Sequence, residues 1–349
     1  MIDTDSLLPW QRQDWRQLAA YIARQRVPQA LLLTGNKGLG IEVLAHQFAL
    51  ALLCSEPLSD GLGCGHCHSC QLIKAHTHPD LMHITPDEPG KAITIGKIRD
   101  SLVKLSLKPQ YDNYRVVIIN PADQLNTAAA NAFLKFLEEP GERTVLLLLT
   151  DRPGKLPATI RSRCQKLAVA SPDEKVVIQW LQAQNITDDA EVLLRLAQGA
   201  PLQVLEYAQN DTLPLRQKCF EQWQAVADHQ LHPVMVAEEW CKHSPSLLLF
   251  WVVGWVTDLV KCIYRTPRPG LHNPDLFHFL QNRAQGLELK LLYSLYDVVV
   301  LNRSRLDTQL NKQLMFEEVL IHWSTLNRQS RHHGGIIIQT RHLVAFNQR

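Results

Sequence analysis

"TGNKGLGIEV", Thr34–Val43, is the stretch on which the fold turns. Its glycines have the G-x-x-x-x-G spacing of a loop that turns backbone N–H groups toward phosphates. In a working loop the last glycine is followed by Lys, which reaches the terminal phosphates. Next comes Ser or Thr, which holds Mg²⁺. Here those two places hold Ile41 and Glu42. Gly35, Gly38 and Gly40 keep the backbone cradle, Ile41 carries no charge, and Glu42 sets a carboxylate beside the phosphates. At about 4 Å and an effective dielectric near 20, that repulsion is on the order of 4 kcal/mol before screening. Such a stretch is either a plain strand-to-helix turn or the remains of a nucleotide site.

The flanking residues bear on the choice. Ala30–Leu33 is a short apolar strand running into the loop, and Ile41–Cys54 is apolar at helical spacing. "VVII", Val116–Ile119, and "VLLLL", Val145–Leu149, are further buried strands. Between them Thr127–Glu139 reads as a helix capped by Asn126 or Thr127 and stopped by Pro140-Gly141. Ala129, Ala132, Phe133, Phe136 and Leu137 line one face of it. Strands alternating with helices imply an α/β domain with a parallel sheet and crossover helices. The strand Val116–Ile119 should end in an acid that helps hold a metal. It ends instead in Asn120-Pro121, with Asp123 three residues on. Asn is nearly isosteric with Asp but neutral. Two separate parts of one catalytic site are thus altered, and loss of hydrolysis accounts for both. Backbone binding of an anion at the helix N-terminus after Gly40 remains physically allowed.

After Cys164 the texture changes. Residues 172–208 read as short helices broken at Gly199-Ala200-Pro201, and 213–327 as long helices ending with Phe316–Leu326. The segment 328–349 has four arginines, no acid and an apolar patch at Ile336–Ile338. It is expected to be a flexible basic tail.

Cys54, Cys64, Cys67 and Cys70 form a C-x9-C-x2-C-x2-C cluster. Two-residue spacers turn neighbouring thiolates toward one ion, and four thiolates close the tetrahedral shell of structural Zn²⁺. An iron–sulfur cluster takes the same donors. His66, His68, His76 and His78 lie nearby, but four thiolates need none of them. The remaining cysteines, 164, 219, 241 and 262, are scattered like packing residues.

With 349 residues, 46% of them hydrophobic, the chain can bury two or three cores. A net charge of +2 does not by itself mark a nucleic-acid binder. The first fifteen residues contain acids and no apolar segment, unlike a secretory signal. The longest apolar run, Leu247–Val256, is too short to span a bilayer and reads as a buried helix. A cytoplasmic, reducing location is the expectation, with free or metal-bound thiols.

Several of these stretches resemble one known family. "QALLLTGNKGLG", "CGHCHSCQLIKAHTHPDL", "AANAFLKFLEEP", "TIRSRCQ" and "QLNKQLMFEEVLIHW" are similar, in this order, to segments of the delta-prime subunits of the bacterial DNA polymerase III clamp loader, relatives of AAA+ ATPases. The likeness covers roughly residues 8–326. It implies an AAA+-type core at 1–166 with the zinc module at 54–70 inserted. It also implies a small helical lid at 167–209 and an all-α collar for oligomerisation at 210–327. The family has an inactive nucleotide site, in keeping with Ile41, Glu42 and Asn120. Active relatives carry an Arg after Gly-Ser-Leu in the lid; Gly199-Ala200-Pro201-Leu202 lacks it. The resemblance gives Ser162-Arg163-Cys164 a role, with the Arg163 guanidinium reaching a neighbouring subunit's ATP as a trans arginine finger. Arg161 is the other arginine within reach.

The implied protein binds structural Zn²⁺ and does not hydrolyse ATP. It works in a hetero-oligomer with the loader's ATPase subunits and clamp-opening subunit, and through them with the sliding clamp and primed DNA. It belongs to a DNA-directed DNA polymerase holoenzyme and not to a membrane. Two other classes compete: an active ATPase using Lys37 inside the loop, and a zinc-containing DNA-binding regulator. No helix-turn-helix pattern or basic stripe supports the regulator.

Overall fold

The computed structural model describes residues 6–88, 90–105, 111, 113–139, 141–186, 190–306 and 311–344. For 104–105 and 329–344 only the backbone is described. The chain divides into two compact units, 1–188 with 199–205, and 189–198 with 206–349.

The first unit is a five-stranded parallel sheet with helices on both faces. Its strands are β1 (Ala30–Thr34), β2 (Leu81–Ile84), β3 (Arg115–Ile119), β4 (Thr144–Thr150) and β5 (Gln165–Ala168). They lie in the order β2-β3-β4-β1-β5. Every pairing is parallel, with Leu32 opposite Leu148 on one side and Lys166 on the other. The helices of this part are α1 (Arg12–Ala23), α2 (Ile41–Leu53), α3 (His68–Lys74), α4 (Ile95–Leu105), α5 (Thr127–Glu138), α6 (Ala158–Arg161) and α7 (Glu174–Ala183).

Central strands of a parallel sheet are covered on both faces and so run almost continuously apolar. β1, β3 and β4 obey this rule. Alternate residues then serve different layers. Leu31, Leu33, Val116, Ile118, Leu147 and Leu149 pack under α1 and α2, around Leu44, Phe48 and Leu52. Leu32, Val117, Ile119, Leu146 and Leu148 pack on the other face against Ile98 of α4 and Ala129 and Phe133 of α5. The expected strands and the α5 face therefore stand, with Asn126 confirmed as the cap through its side chain on the Ala129 N–H. α5 ends at Glu138; Pro140, expected to stop it, lies outside the described residues. The edge strands β2 and β5 have no counterpart in the sequence reading. They are four residues each and half exposed, and "QKLA" carries polar residues that no propensity rule assigns to a sheet.

The chain continues through α8 (Ala190–Leu196) and α9 (Pro201–Gln209). Then come α10 (Thr212–Ala227), α11 (Pro233–Trp240), α12 (Pro245–Ile263), α13 (Phe277–Ala284), α14 (Leu289–Ser304) and α15 (Lys312–Val344). The second unit is all helical. Its core holds five fully buried tryptophans, at 223, 240, 251, 255 and 323. Trp223 and Trp323 stack face to face at 3.9 Å, joining α10 to α15. Trp251, Trp255 and Leu295 stand at helical spacing and are buried, and Leu291 packs against them half-buried.

By length and composition alone α12 could cross a membrane. Here its apolar side is the middle of this core, and it runs well past the ten-residue apolar run. Asp258 within it is wholly buried. Its carboxylate accepts from the His272 and Asn273 backbone N–H groups and from Asn273 Nδ2, at 2.7–2.8 Å. Three donors offset the desolvation that would otherwise forbid a carboxylate there. The backbone of α15 carries the helix on to Val344, through the segment expected to be a tail. The side chains of that segment lie outside the described residues.

Candidate functional site: a degenerate phosphate loop, a cysteine cluster and an exposed arginine

The glycine loop joins β1 to α2. Gly38 and Gly40 have φ of +85° and +78°, where a side chain is strained. Side chains from the preceding segment pack against the carbonyl oxygens of this loop. Gln11 is completely buried and its Nε2 donates to the Gly40 and Leu39 carbonyls at 2.6 and 3.2 Å. Trp10 Nε1 donates to the same Leu39 carbonyl at 3.0 Å. From the other side the Leu202 N–H donates to the Gly38 carbonyl. Leu8, Val43 and Leu202 form an apolar plug, closed by Trp10 edge-on to Trp180 at 5.0 Å. Leu202, in the stretch where active relatives carry an arginine, thus serves as packing.

Glu42 and Asn120, the two positions expected to have lost catalytic groups, meet. Asn120 Nδ2 donates to Glu42 Oε1 at 2.7 Å. The residue in place of the metal-holding hydroxyl and the residue in place of the metal-holding acid satisfy one another. Asp123 is no substitute. Its buried carboxylate accepts from Thr150 Oγ1 at 2.7 Å and pairs with Arg152 Nη2 at 2.9 Å. Lys37 is exposed. A cavity of about 220 Å³ opens beside Thr34, Gly35, Asn36, Asp151 and Val169, below the roughly 300–1,000 Å³ of ordinary ligand pockets. A Cβ on Gly40 would lie 2.4 Å from Leu8 Cδ1 and 3.0 Å from Gln11 Nε2. Gly40→Ala is therefore expected to destabilise the first unit by about 1–3 kcal/mol. A denaturation midpoint equal to wild type would show that the plug yields freely.

The four cysteines converge as their spacing predicts. Their sulfurs all lie within 4.8 Å of one another, with Cys54–Cys67 at 3.8 Å and Cys64–Cys70 at 3.9 Å. A tetrahedron with metal–sulfur bonds of about 2.3 Å has edges of about 3.8 Å, so the donor set fits one tetrahedral ion. Backbone N–H groups of Glu56 and Cys64 point at the Cys54 sulfur, and that of Cys67 at the Cys64 sulfur. Such donors favour thiolates. Burial alone would raise the Cys67 thiol. The Cys70 and Ser55 backbone and the neighbouring thiols outweigh it and bring the pKa down to about 6. Burial raises those of Cys54 and Cys70.

A polar relay pins this module to the sheet. Ser69, on α3 between two of the ligands, donates to the Leu53 carbonyl and meets His78 Nε2 at 2.8 Å. The Asp80 N–H donates to His78 Nδ1, so the ring is neutral with its proton on Nε2. Burial lowers its pKa, in agreement. Asp80, fully buried, pairs with Arg115 of β3 at 3.2 Å. His-Pro-Asp thus acts by anchoring.

Ser162, Arg163 and Cys164 form the turn between α6 and β5. Cys164 is buried in the α5-side core, where burial pushes its thiol up to about 11, so it packs and stays protonated. Ser162 Oγ donates to the Thr159 carbonyl. Arg163 is different, with 39% of its side chain exposed. Its Nε and Nη2 lie 3.1 and 2.7 Å from Glu138 Oε1, and Nη1 donates to the Thr159 carbonyl at 3.0 Å. Arg161 is half-buried.

Residues 10–173 match the family described as "DNA polymerase III, delta subunit", and residues 210–325 its C-terminal counterpart. The DNA polymerase III subunit delta' of Pseudomonas aeruginosa is 31% identical over 326 residues, spanning 92% of this chain and 98% of the relative. This chain belongs to the DNA polymerase III delta-prime family. Its Escherichia coli (strain K12) relative is 35% identical over 319 residues, spanning 90% of this chain and 94% of that protein. A solved gamma subunit-related protein of Thermotoga maritima covers 91% of the chain and 99% of itself at 15% identity. Its TM-score is 0.44, too distant to bear on function. The fold is, as expected, a parallel α/β sheet followed by helical elements.

Three parts of this delta-prime site are absent from the sequence reading: the Gln11 side chain in the loop, the Glu42–Asn120 bond, and the Glu138 partner of Arg163. The last two join residues 78 and 25 positions apart. The "LEEP" stretch, Leu137–Pro140, and the Arg163 turn stand in the sequence as separate signals, and nothing there shows that they touch.

Proposed function

We propose that this delta-prime protein is a non-hydrolysing subunit of a clamp loader that completes a neighbouring ATPase subunit's site with Arg163. One observation carries the reading. The chain's own phosphate loop has Ile41 and a Glu42 bonded to Asn120 where the lysine and hydroxyl belong, yet the chain keeps an exposed, oriented guanidinium at the turn before β5. A cation placed in trans on a transferring phosphoryl group stabilises the charge that develops there.

In this reading the chain works in a hetero-oligomer with the loader's ATPase and clamp-opening subunits. It helps load a sliding clamp on primed DNA during replication, as part of the DNA-directed DNA polymerase holoenzyme in the cytoplasm. Contact with DNA is to the backbone and independent of sequence. The four cysteines hold one structural zinc ion, which closes the module and takes no part in phosphoryl transfer. Residues 1–166 act as the core, 167–209 as a lid and 210–327 as the collar.

The isolated chain is expected to hydrolyse no ATP. Turnover by the purified chain alone at enzyme-like rates would overturn the non-hydrolysing part. Arg163→Ala in a reconstituted loader tests the trans role.

A further inference from the structure

We propose that Glu138 is a positioning residue for Arg163, holding the guanidinium with its phosphate-binding edge presented before any neighbour arrives. This rests on the trans role of Arg163 given above.

A guanidinium has five N–H donors in a fixed plane. Here Nε and one N–H of Nη2 serve the Glu138 carboxylate, and one N–H of Nη1 serves the Thr159 carbonyl. One N–H remains on each terminal nitrogen. That pair can meet two oxygens of a phosphate at once. The side chain is tied at two points, on the last residue of α5 and on the open C-terminal turn of α6. Its reach and plane are thereby settled, and the usual loss of rotamer freedom on engaging a ligand is largely removed.

The position of Glu138 is itself unusual. A carboxylate on the last residue of a helix opposes the helix dipole, and α5 is followed by a second acid, Glu139. A residue chosen only for helix stability would be neutral or basic there. Local rules of this kind are commonly broken where function requires it. Both side chains are too exposed, at 39% and 52%, for the pair to be a strong stability device. Orientation is what it can supply.

The test uses the reconstituted loader with clamp and primed DNA, with assembly checked by gel filtration. Glu138→Ala is expected to lower kcat by about fivefold with the KM for ATP unchanged, since the ATP-binding residues lie on the neighbour. Glu138→Gln keeps an acceptor oxygen and is expected to stay within about twofold of wild type. Glu138→Lys repels the guanidinium and is expected to fall below Glu138→Ala. The double variant Glu138→Ala with Arg163→Ala is expected to be no slower than Arg163→Ala alone, because the two act as one unit. Wild-type kcat in Glu138→Ala and Glu138→Lys, with Arg163→Ala impaired, would overturn the proposal while leaving the finger intact. A silent Arg163→Ala would instead remove the reading beneath it.

Discussion

Arg163→Ala is expected to leave the loader assembled and to slow its clamp- and DNA-stimulated ATP turnover, by up to about 10³-fold at the adjoining site. Loss measured over the whole complex will be smaller, because ATP sites that do not border this chain keep their rate. The magnitude follows from what a cation does beside a transferring phosphoryl group. Water is excluded there, and charge builds on oxygens only in the transition state. Removing the cation should therefore lower kcat far more than it raises KM. Arg163→Lys should recover little, because an ammonium cannot contact two phosphate oxygens in one plane. Loss of fold is a poor explanation for any such defect. The side chain is 39% exposed and its partner 52% exposed, and surface pairs of this kind are worth at most about 1 kcal/mol. Unchanged turnover in a fully assembled complex would reject the role.

Cys67→Ser carries the second large effect. Elemental analysis should find one zinc per wild-type chain and essentially none in the variant. The four sulfurs form a closed set, and three thiolates with a serine hydroxyl hold zinc far less firmly. Structural zinc contributes about 10–16 kcal/mol in isolated finger peptides. Here the loss should be local, because α3 is also tied through Ser69 and His78 to residues outside the metal shell. The expected signature is rapid proteolysis within 54–70 while the rest of the first unit resists. Cys219→Ser, a thiol buried in the helical unit's core, should keep its zinc. Full zinc in Cys67→Ser would show that the four-thiolate assignment is wrong.

Much of the fold was legible because its signals are local. β1, β3 and β4 are runs of Leu, Val and Ile that only a strand covered on both faces accommodates. The α5 face repeats at helical spacing, and Asn126 caps it. Two-residue spacers hold Cys64, Cys67 and Cys70 close along the chain, and Cys54 joins them across a nine-residue spacer. β2 and β5 were not legible. They are strands because a neighbouring strand offers them hydrogen bonds, and their own residues are only partly buried.

By itself the sequence determined that the glycine loop is followed by Ile41 and Glu42 in place of Lys and a hydroxyl, that the strand Val116–Ile119 ends in an asparagine, and that four cysteines stand at metal-ligand spacing. Each of these is a matter of which side chain occupies a position, and needs no knowledge of distant neighbours. Only the tertiary structure decided what these side chains touch. Gln11 bonds to the loop carbonyls, Glu42 and Asn120 satisfy each other, and Glu138 pairs with Arg163. These contacts join residues 25 to 78 positions apart. Folding brings them together, a property of packing that no short window of sequence contains.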